Sequence, residues 1–231
     1  MSELSVGVLT ADLLRLGDDL DAVARAGVTQ LHVDVIDGVF CPGLTVGAGF
    51  VKALPDRFRK DVHLMVVEPV DKVAAFVDAG ADAITVHVES TRHVHRVLQE
   101  LGGAGVTRGV AVNPGTPIAA VEPLLQDLEL LLVLGVNPGW PGQQLVPATF
   151  ARLVAARELI DGRPIVLAVD GGITRENVAV VASCGVDLIV TGSAVFDGVA
   201  PEENARFMLE AARSAGNQSA ALAGAGPKEE R

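Results

Sequence analysis

The chain has 231 residues, 49% of them hydrophobic and 20% charged, which suits one globular α/β unit with a substantial core. Its formal net charge of -11 repels nucleic acid and anionic membrane alike, so neither is an expected partner, and any phosphate must be held locally by backbone N–H groups. No apolar run reaches the length of a membrane span, the start Met1-Ser2-Glu3 lacks the basic opening of an export signal, and Cys41 and Cys184 have no CxxC spacing, so a cytoplasmic protein with two buried, unpaired thiols is expected.

In chain order, apolar β-branched runs begin near Leu4, Leu31, Asp61, Ala83, Thr107, Leu130, Pro164 and Leu188. Between them lie Ala- and Leu-rich stretches with helical periodicity, such as Ala11 to Ala26 and Pro147 to Ile160. Gly27, Gly80 and Gly185 stand where helix C-caps belong. The strand starts recur every about 26 residues, the length of a compact βα unit. Unbroken runs such as Ala83 to Val88 and Leu130 to Leu134 suit parallel strands covered on both faces. Eight such units predict a single-domain (β/α)8 TIM barrel over residues 1–214. Beyond it the pattern dissolves, and residues 215–231 are expected to form a disordered tail.

Polar groups interrupt three of these strands near their C-terminal ends, where a barrel of this kind carries its site. His32 and Asp34 are two apart on the second strand and so share one face. His63 lies late in the third strand and Asp170 ends the seventh. Two imidazoles and two carboxylates make a complete shell for one borderline divalent ion, Zn, Fe, Mn or Co. Strands two and seven are three steps apart round a ring of eight, which sets Asp34 and Asp170 on opposing sides of one pocket. Carboxylates facing each other across a bound carbon suit epimerisation, one taking a proton and the other returning it on the opposite face. A cation on the adjacent carbonyl oxygen would stabilise the enediolate. Asp37 lies on the opposite face or just past the strand end and is expected to order a turn and cap a helix. His87 and Glu89 point together on strand four, either supporting the site or serving the fold, and His93 and His95 are expected on a solvated helix. Trp140 is expected to cover the substrate as part of a lid.

The chain resembles the ribulose-phosphate 3-epimerase family from about Leu9 to Phe207. The resemblance is carried by Leu9-Thr10-Ala11-Asp12, His32-Val33-Asp34-Val35-Ile36-Asp37-Gly38, Asp61-Val62-His63-Leu64-Met65, Thr85-Val86-His87-Val88-Glu89, Asn113-Pro114-Gly115-Thr116-Pro117, Val136-Asn137-Pro138-Gly139, Val169-Asp170-Gly171-Gly172-Ile173 and Gly192-Ser193-Ala194-Val195-Phe196. It implies that His32, Asp34, His63 and Asp170 bind the metal and that Asp34 and Asp170 are the acid–base pair. It also implies that Gly171, Gly172, Gly192 and Ser193 hold the substrate phosphate through glycine turns that open helices. Thr10, His63, Gly139 and Gly142 join the expected substrate contacts. The implied reaction converts D-ribulose 5-phosphate to D-xylulose 5-phosphate, in a homo-oligomeric enzyme of the pentose phosphate pathway.

Several positions depart from the family pattern. Thr10 replaces a serine and keeps the hydroxyl. Val39-Phe40-Cys41-Pro42-Gly43 replaces His-Phe-Val-Pro-Asn, and the lid loop reads Gly139-Trp140-Pro141-Gly142-Gln143-Gln144 where Gly-Phe-Gly-Gly-Gln-Ser is usual. Ile36 and Leu134 stand at two usual methionine positions, and Met65 is retained. These changes admit another ketose phosphate, such as D-allulose 6-phosphate, as the substrate. A decarboxylase of the same barrel type would show Asp-x-Lys-x-x-Asp on strand three, and Asp61-Val62-His63-Leu64-Met65-Val66 lacks the lysine. A non-catalytic sugar-phosphate sensor would have lost an acid–base residue, and both aspartates are present.

Overall fold

The computed structural model describes residues 1–140 and 142–224. Eight parallel strands close into a barrel in chain order: β1 (Glu3–Gly7), β2 (Gln30–Ile36), β3 (Arg59–Met65), β4 (Ala83–His87), β5 (Thr107–Val112), β6 (Leu130–Leu134), β7 (Val166–Asp170) and β8 (Leu188–Thr191). Around them run α1 (Leu16–Arg25), α2 (Ala48–Ala53), α3 (Val73–Asp78), α4 (Val94–Gly103), α5 (Thr149–Ile160), α6 (Val178–Ser183) and α7 (Pro201–Gly224). The expected (β/α)8 barrel is therefore present.

Local chemistry explains where elements differ from the sequence pattern. The first helix begins only at Leu16, because the Asp12 carboxylate accepts the Leu14 N–H at 3.0 Å and holds the preceding residues in a turn. Between β5 and β6 a 3-10 segment, Ile118–Leu124, replaces the expected helix. Pro123 lies inside it and cannot donate the hydrogen bond that a continued α-helix needs. At the other end, α7 continues past Ala215 to Gly224, so the expected tail begins as helix. The alanines of Ser214 to Gly224 favour that state. Residues 225–231 lie outside the described residues.

The strands face two environments. Outward residues such as Leu31, Val33, Leu64, Ile84, Val133 and Ile189 are fully buried beneath the helices in the main core. Each such side chain contributes roughly 1.5–3 kcal/mol by leaving water. Inside the barrel a separate cluster joins Ala111, Leu130, Leu132, Leu134, Ala168, Leu188 and Val190. The same inward face on β2, β3 and β4 is polar, with His32, Asp34, Asp61, His63, Thr85 and His87. Register sets these residues side by side, His32 against Asp61, Asp34 against His63, and His63 against Thr85. Cys41 is buried as expected, but Cys184 caps α6 near the surface and is only half-buried, and both thiols are free.

Candidate active site

The barrel brings together the four candidate ligands. His63 Nδ1 lies 2.9 Å from Asp34 Oδ1 and 4.0 Å from Asp170 Oδ2, while His32 Nε2 lies 3.3 Å from the same Asp34 oxygen. One donor atom from each of His32, Asp34, His63 and Asp170 falls within 4.8 Å of the others. Such spacing suits donors around a small ion with bonds of about 2.0–2.2 Å. A second observation supports the fit. His32 Nε2 is buried without a hydrogen-bond partner among the described residues, although it points at a carboxylate, whereas Nδ1 of the same ring meets Asp61 Oδ2 at 2.7 Å. With the Asp61 carboxylate accepting the Nδ1–H, Nε2 is the nitrogen turned to the cluster, and a divalent ion there would displace any proton from it and take its lone pair, the arrangement by which carboxylates orient metal-binding imidazoles. Asp61 Oδ2 also accepts the Ser5 hydroxyl at 3.1 Å.

The charges of the cluster are set by burial and by one another. Burial opposes charge on His32, but Asp61 and Asp34 outweigh it and hold this imidazole well above its ordinary value. Burial also opposes the charge of Asp34, yet His32 and His63 hold its carboxyl well below the usual range. For His63, burial together with the neighbouring histidines prevails over Asp34 and pushes the ring down. Burial and the nearby Asp34 charge push Asp170 up to about 6. Two carboxylates at one site thus have proton affinities displaced in opposite directions, which is how environment divides acid and base roles.

The remaining sequence candidates fall into two groups at the same end of the barrel. Thr10 follows β1, and its hydroxyl donates to the Gly7 carbonyl at 3.0 Å. It packs so closely on the end of β8 that a Cβ on Gly192 would come within 2.5 Å of Thr10 Oγ1. Gly171 and Gly172 follow Asp170 with φ of +95° and +72°, and a Cβ on Gly172 would meet the Leu145 backbone nitrogen at 2.5 Å. Only glycine permits this turn to nest against the loop after β6. The expectation that both turns open helices is not met. Asn177 Oδ1 accepts the Thr174 N–H at 2.8 Å and delays α6 to Val178, while Ser193 lies in a turn closed by the Val195 and Phe196 N–H groups on the Gly192 carbonyl, with α7 starting at Pro201.

In the long loop after β6, Gly139 packs against Cys41 and Pro42. Gln143 Nε2 donates to the Asn137 and Trp140 carbonyls at 2.6 and 2.7 Å and folds the loop on itself. Trp140 is 56% exposed, Gly142 turns with φ of +73°, and Pro141 lies outside the described residues.

The sequence alone assigns no task to Asp61 and only part of those of Asp37 and Glu89. Asp61 orients His32, and the signal was its place two residues before His63 on the same face. Asp37 does more than order its own turn, since Oδ1 accepts the Val39 and Phe40 N–H groups at 2.9 Å and Oδ2 accepts the Val67 N–H at 2.8 Å, tying the loop after β2 to that after β3. Glu89 accepts the Asn113 N–H at 2.9 Å and meets His87 Nδ1 at 3.2 Å. Burial would raise its proton affinity, but hydrogen bonds from His87, Thr116 and Asn113 prevail and hold the carboxyl below its ordinary value.

No helix among the described residues is long and apolar enough to cross a membrane. Among solved structures, 3-hexulose-6-phosphate synthase from Salmonella typhimurium superposes with a TM-score of 0.68 over 92% of this chain and 99% of that one, at 20% identity, a likeness of fold alone. Two curated ribulose-phosphate 3-epimerases are far nearer in sequence. That of Rhodobacter capsulatus is 40% identical over 199 residues, covering 85% of this chain and 86% of the relative. That of Bacillus subtilis is 36% identical over 201 residues, covering 85% and 93%. The model of the ribulose-phosphate 3 epimerase family matches residues 3–196, which spans all eight strands and every residue of the cluster. The chain is an enzyme belonging to the ribulose-phosphate 3-epimerase family.

Proposed function

We propose that the chain interconverts D-ribulose 5-phosphate and D-xylulose 5-phosphate by moving the proton at carbon 3, with Asp34 and Asp170 as the acid–base pair. The observation that carries this reading is the meeting of two carboxylates from β2 and β7 at one cluster with oppositely displaced proton affinities. Asp34 is held ionised and takes the proton from one face of the carbon. Asp170 holds a proton at higher pH than Asp34 and delivers one to the other face, and the reverse reaction exchanges their tasks. His32, Asp34, His63 and Asp170 would hold one divalent ion, with Zn, Fe, Mn or Co suited to this donor set. When bound, that ion supplies positive charge beside the carbonyl oxygen and stabilises the enediolate.

Recognition of the phosphate falls to the turns at Gly171–Gly172 and Gly192–Ser193, whose backbone N–H groups can bind an anion without lysine. Thr10 stands beside the second turn and offers its hydroxyl to the sugar phosphate. Gly139 and Gly142 belong to the loop that covers the bound substrate, with Trp140 at its exposed tip. Two free thiols suit work in a reducing cytoplasm.

Steady-state assay of metal-loaded protein with a panel of ketose phosphates tests this assignment. The highest kcat/KM is expected with ribulose 5-phosphate, and metal analysis is expected to find close to one ion per chain. A much higher kcat/KM with D-allulose 6-phosphate would overturn the substrate. Full activity in protein free of metal would overturn the role of the ion.

A further inference from the structure

His87 is buried on β4 between the cluster and Glu89, and the two-aspartate chemistry gives it no task. Its Nε2 lies 2.8 Å from His63 Nε2 and its Nδ1 lies 3.2 Å from Glu89 Oε2. The His63 and His87 rings stack with centroids 4.9 Å apart, and Phe40 packs on His87 at 4.6 Å. At the far end, Glu89 Oε1 accepts the Asn113 N–H at 2.9 Å. Arg152 of α5 fixes that turn by donating to the Asn113 carbonyl at 2.8 Å and the Thr116 carbonyl at 2.6 Å.

Proton counting gives this row a direction. An ionised carboxylate only accepts, so Glu89 Oε2 takes the N–H of His87 Nδ1. A neutral imidazole has one N–H, so His87 Nε2 must accept, and the proton in that contact belongs to His63 Nε2. His63 then presents a lone pair at Nδ1, the atom 2.9 Å from Asp34 Oδ1 and 4.0 Å from Asp170 Oδ2, and since a lone pair and an ionised carboxylate repel, this direction of the row requires a cation between them. We infer that Glu89 and His87 are positioning residues which, through the ordered row Glu89–His87–His63, fix the tautomer of His63 that offers Nδ1 to a divalent cation. The inference rests on the metal reading of the cluster. It pairs His63 with a carboxylate at one remove, where Asp61 serves His32 directly.

Glu89→Gln should reverse the row. The Asn113 N–H requires an oxygen, which turns the amide NH2 toward His87 Nδ1. His87 must then accept at Nδ1 and donate from Nε2, and the His63 proton moves to Nδ1, where it blocks the cation. The test titrates Zn2+ into metal-free wild type, Glu89→Gln and Glu89→Asp, and records long-range 15N–1H spectra of the imidazole nitrogens at mildly alkaline pH. In Zn-loaded wild type, His63 is expected to carry its proton on Nε2 and His87 on Nδ1. Glu89→Gln is expected to bind Zn2+ roughly 10–100-fold more weakly, with the metal-free rings protonated at His63 Nδ1 and His87 Nε2. Glu89→Asp, still only an acceptor, should retain the wild-type nitrogen pattern. A merely structural role would lower the Tm of both variants without reversing that pattern. Wild type that takes up no Zn2+ overturns the metal reading and this inference with it. Wild type that binds Zn2+ beside an equally tight Glu89→Gln, or that carries the His87 proton on Nε2, overturns the row alone.

Discussion

The inside of the barrel is two half-lumens built on one strand geometry. From β5 to β8 the inward positions hold Ala111, Leu130, Leu132, Leu134, Ala168, Leu188 and Val190, an apolar plug separate from the core beneath the helices. From β2 to β4 the same face carries His32, Asp34, Asp61, His63, Thr85 and His87 alongside the apolar Ile36, Met65 and Ala83. Asp170, at the tip of β7, is the acidic exception on the apolar side and closes the polar cluster from across the barrel. The first half is stabilised by apolar burial. The second carries the desolvation cost of buried polar groups and offsets it with paired contacts such as His32–Asp61 and His63–His87. Stability and chemistry are thus separated by side of the lumen as well as by end of the strand.

That separation can be broken most forcefully from the apolar side. Leu132 is 1% exposed at the middle of β6, so Leu132→Ala should cost about 2–5 kcal/mol in urea unfolding. If the halves are independent, its affinity for Zn2+ stays at the wild-type value, and a matching loss of affinity would join the two halves into one energetic unit. From the polar side, Asp61→Asn keeps an acceptor for His32 but removes the charge behind the ring. Metal affinity measured by competition with a chelator should fall roughly 10–100-fold with little change in unfolding free energy.

A smaller effect, one of pH, sharpens the contrast within the cluster. Asp170 has its proton affinity raised in the fold, from an ordinary 3.8 to about 6. Its ionisation therefore costs the metal-free protein stability as pH rises through that window, and the penalty is absent where both folded and unfolded states are protonated. Asp34 is lowered and acts in the opposite sense, contributing stability that is lost on acidification. In metal-free protein, Asp170→Asn should melt above wild type once the pH exceeds about 6, and the gap should shrink as the pH falls toward 4. Thermal melts across that range check it, and a gap that widens on acidification would contradict the assignment.

Much of this plan was legible in the residues. The spacing of two between His32 and Asp34 declares one strand face, and the βα rhythm places Asp170 opposite them although 136 positions separate it from Asp34. What stayed hidden depends on relations between elements. The task of Asp61 follows from the register that sets it beside His32, and that of Glu89 from a loop after β5 that delivers the Asn113 N–H. The 3-10 segment at Ile118–Leu124 was foreshadowed by Pro123, but strand-to-strand rhythm alone favoured a helix. Glycine turns were visible after β7 and β8. Their failure to open helices at once reflects side-chain and turn hydrogen bonds that pattern does not display.

If Asp34 and Asp170 serve opposite faces of carbon 3, hydrogen from solvent must enter the product at that carbon. Metal-loaded protein is incubated with ribulose 5-phosphate in deuterated water, and the first xylulose 5-phosphate formed is analysed by mass spectrometry and NMR. Two carboxylates predict deuterium at carbon 3 of that product, because the proton delivered by the second group comes from solvent. Asp170→Asn should lose epimerisation by roughly 10²–10⁴-fold while retaining slow exchange from the face that Asp34 serves. Wild-type product that retains the substrate's own hydrogen at carbon 3 would contradict the account.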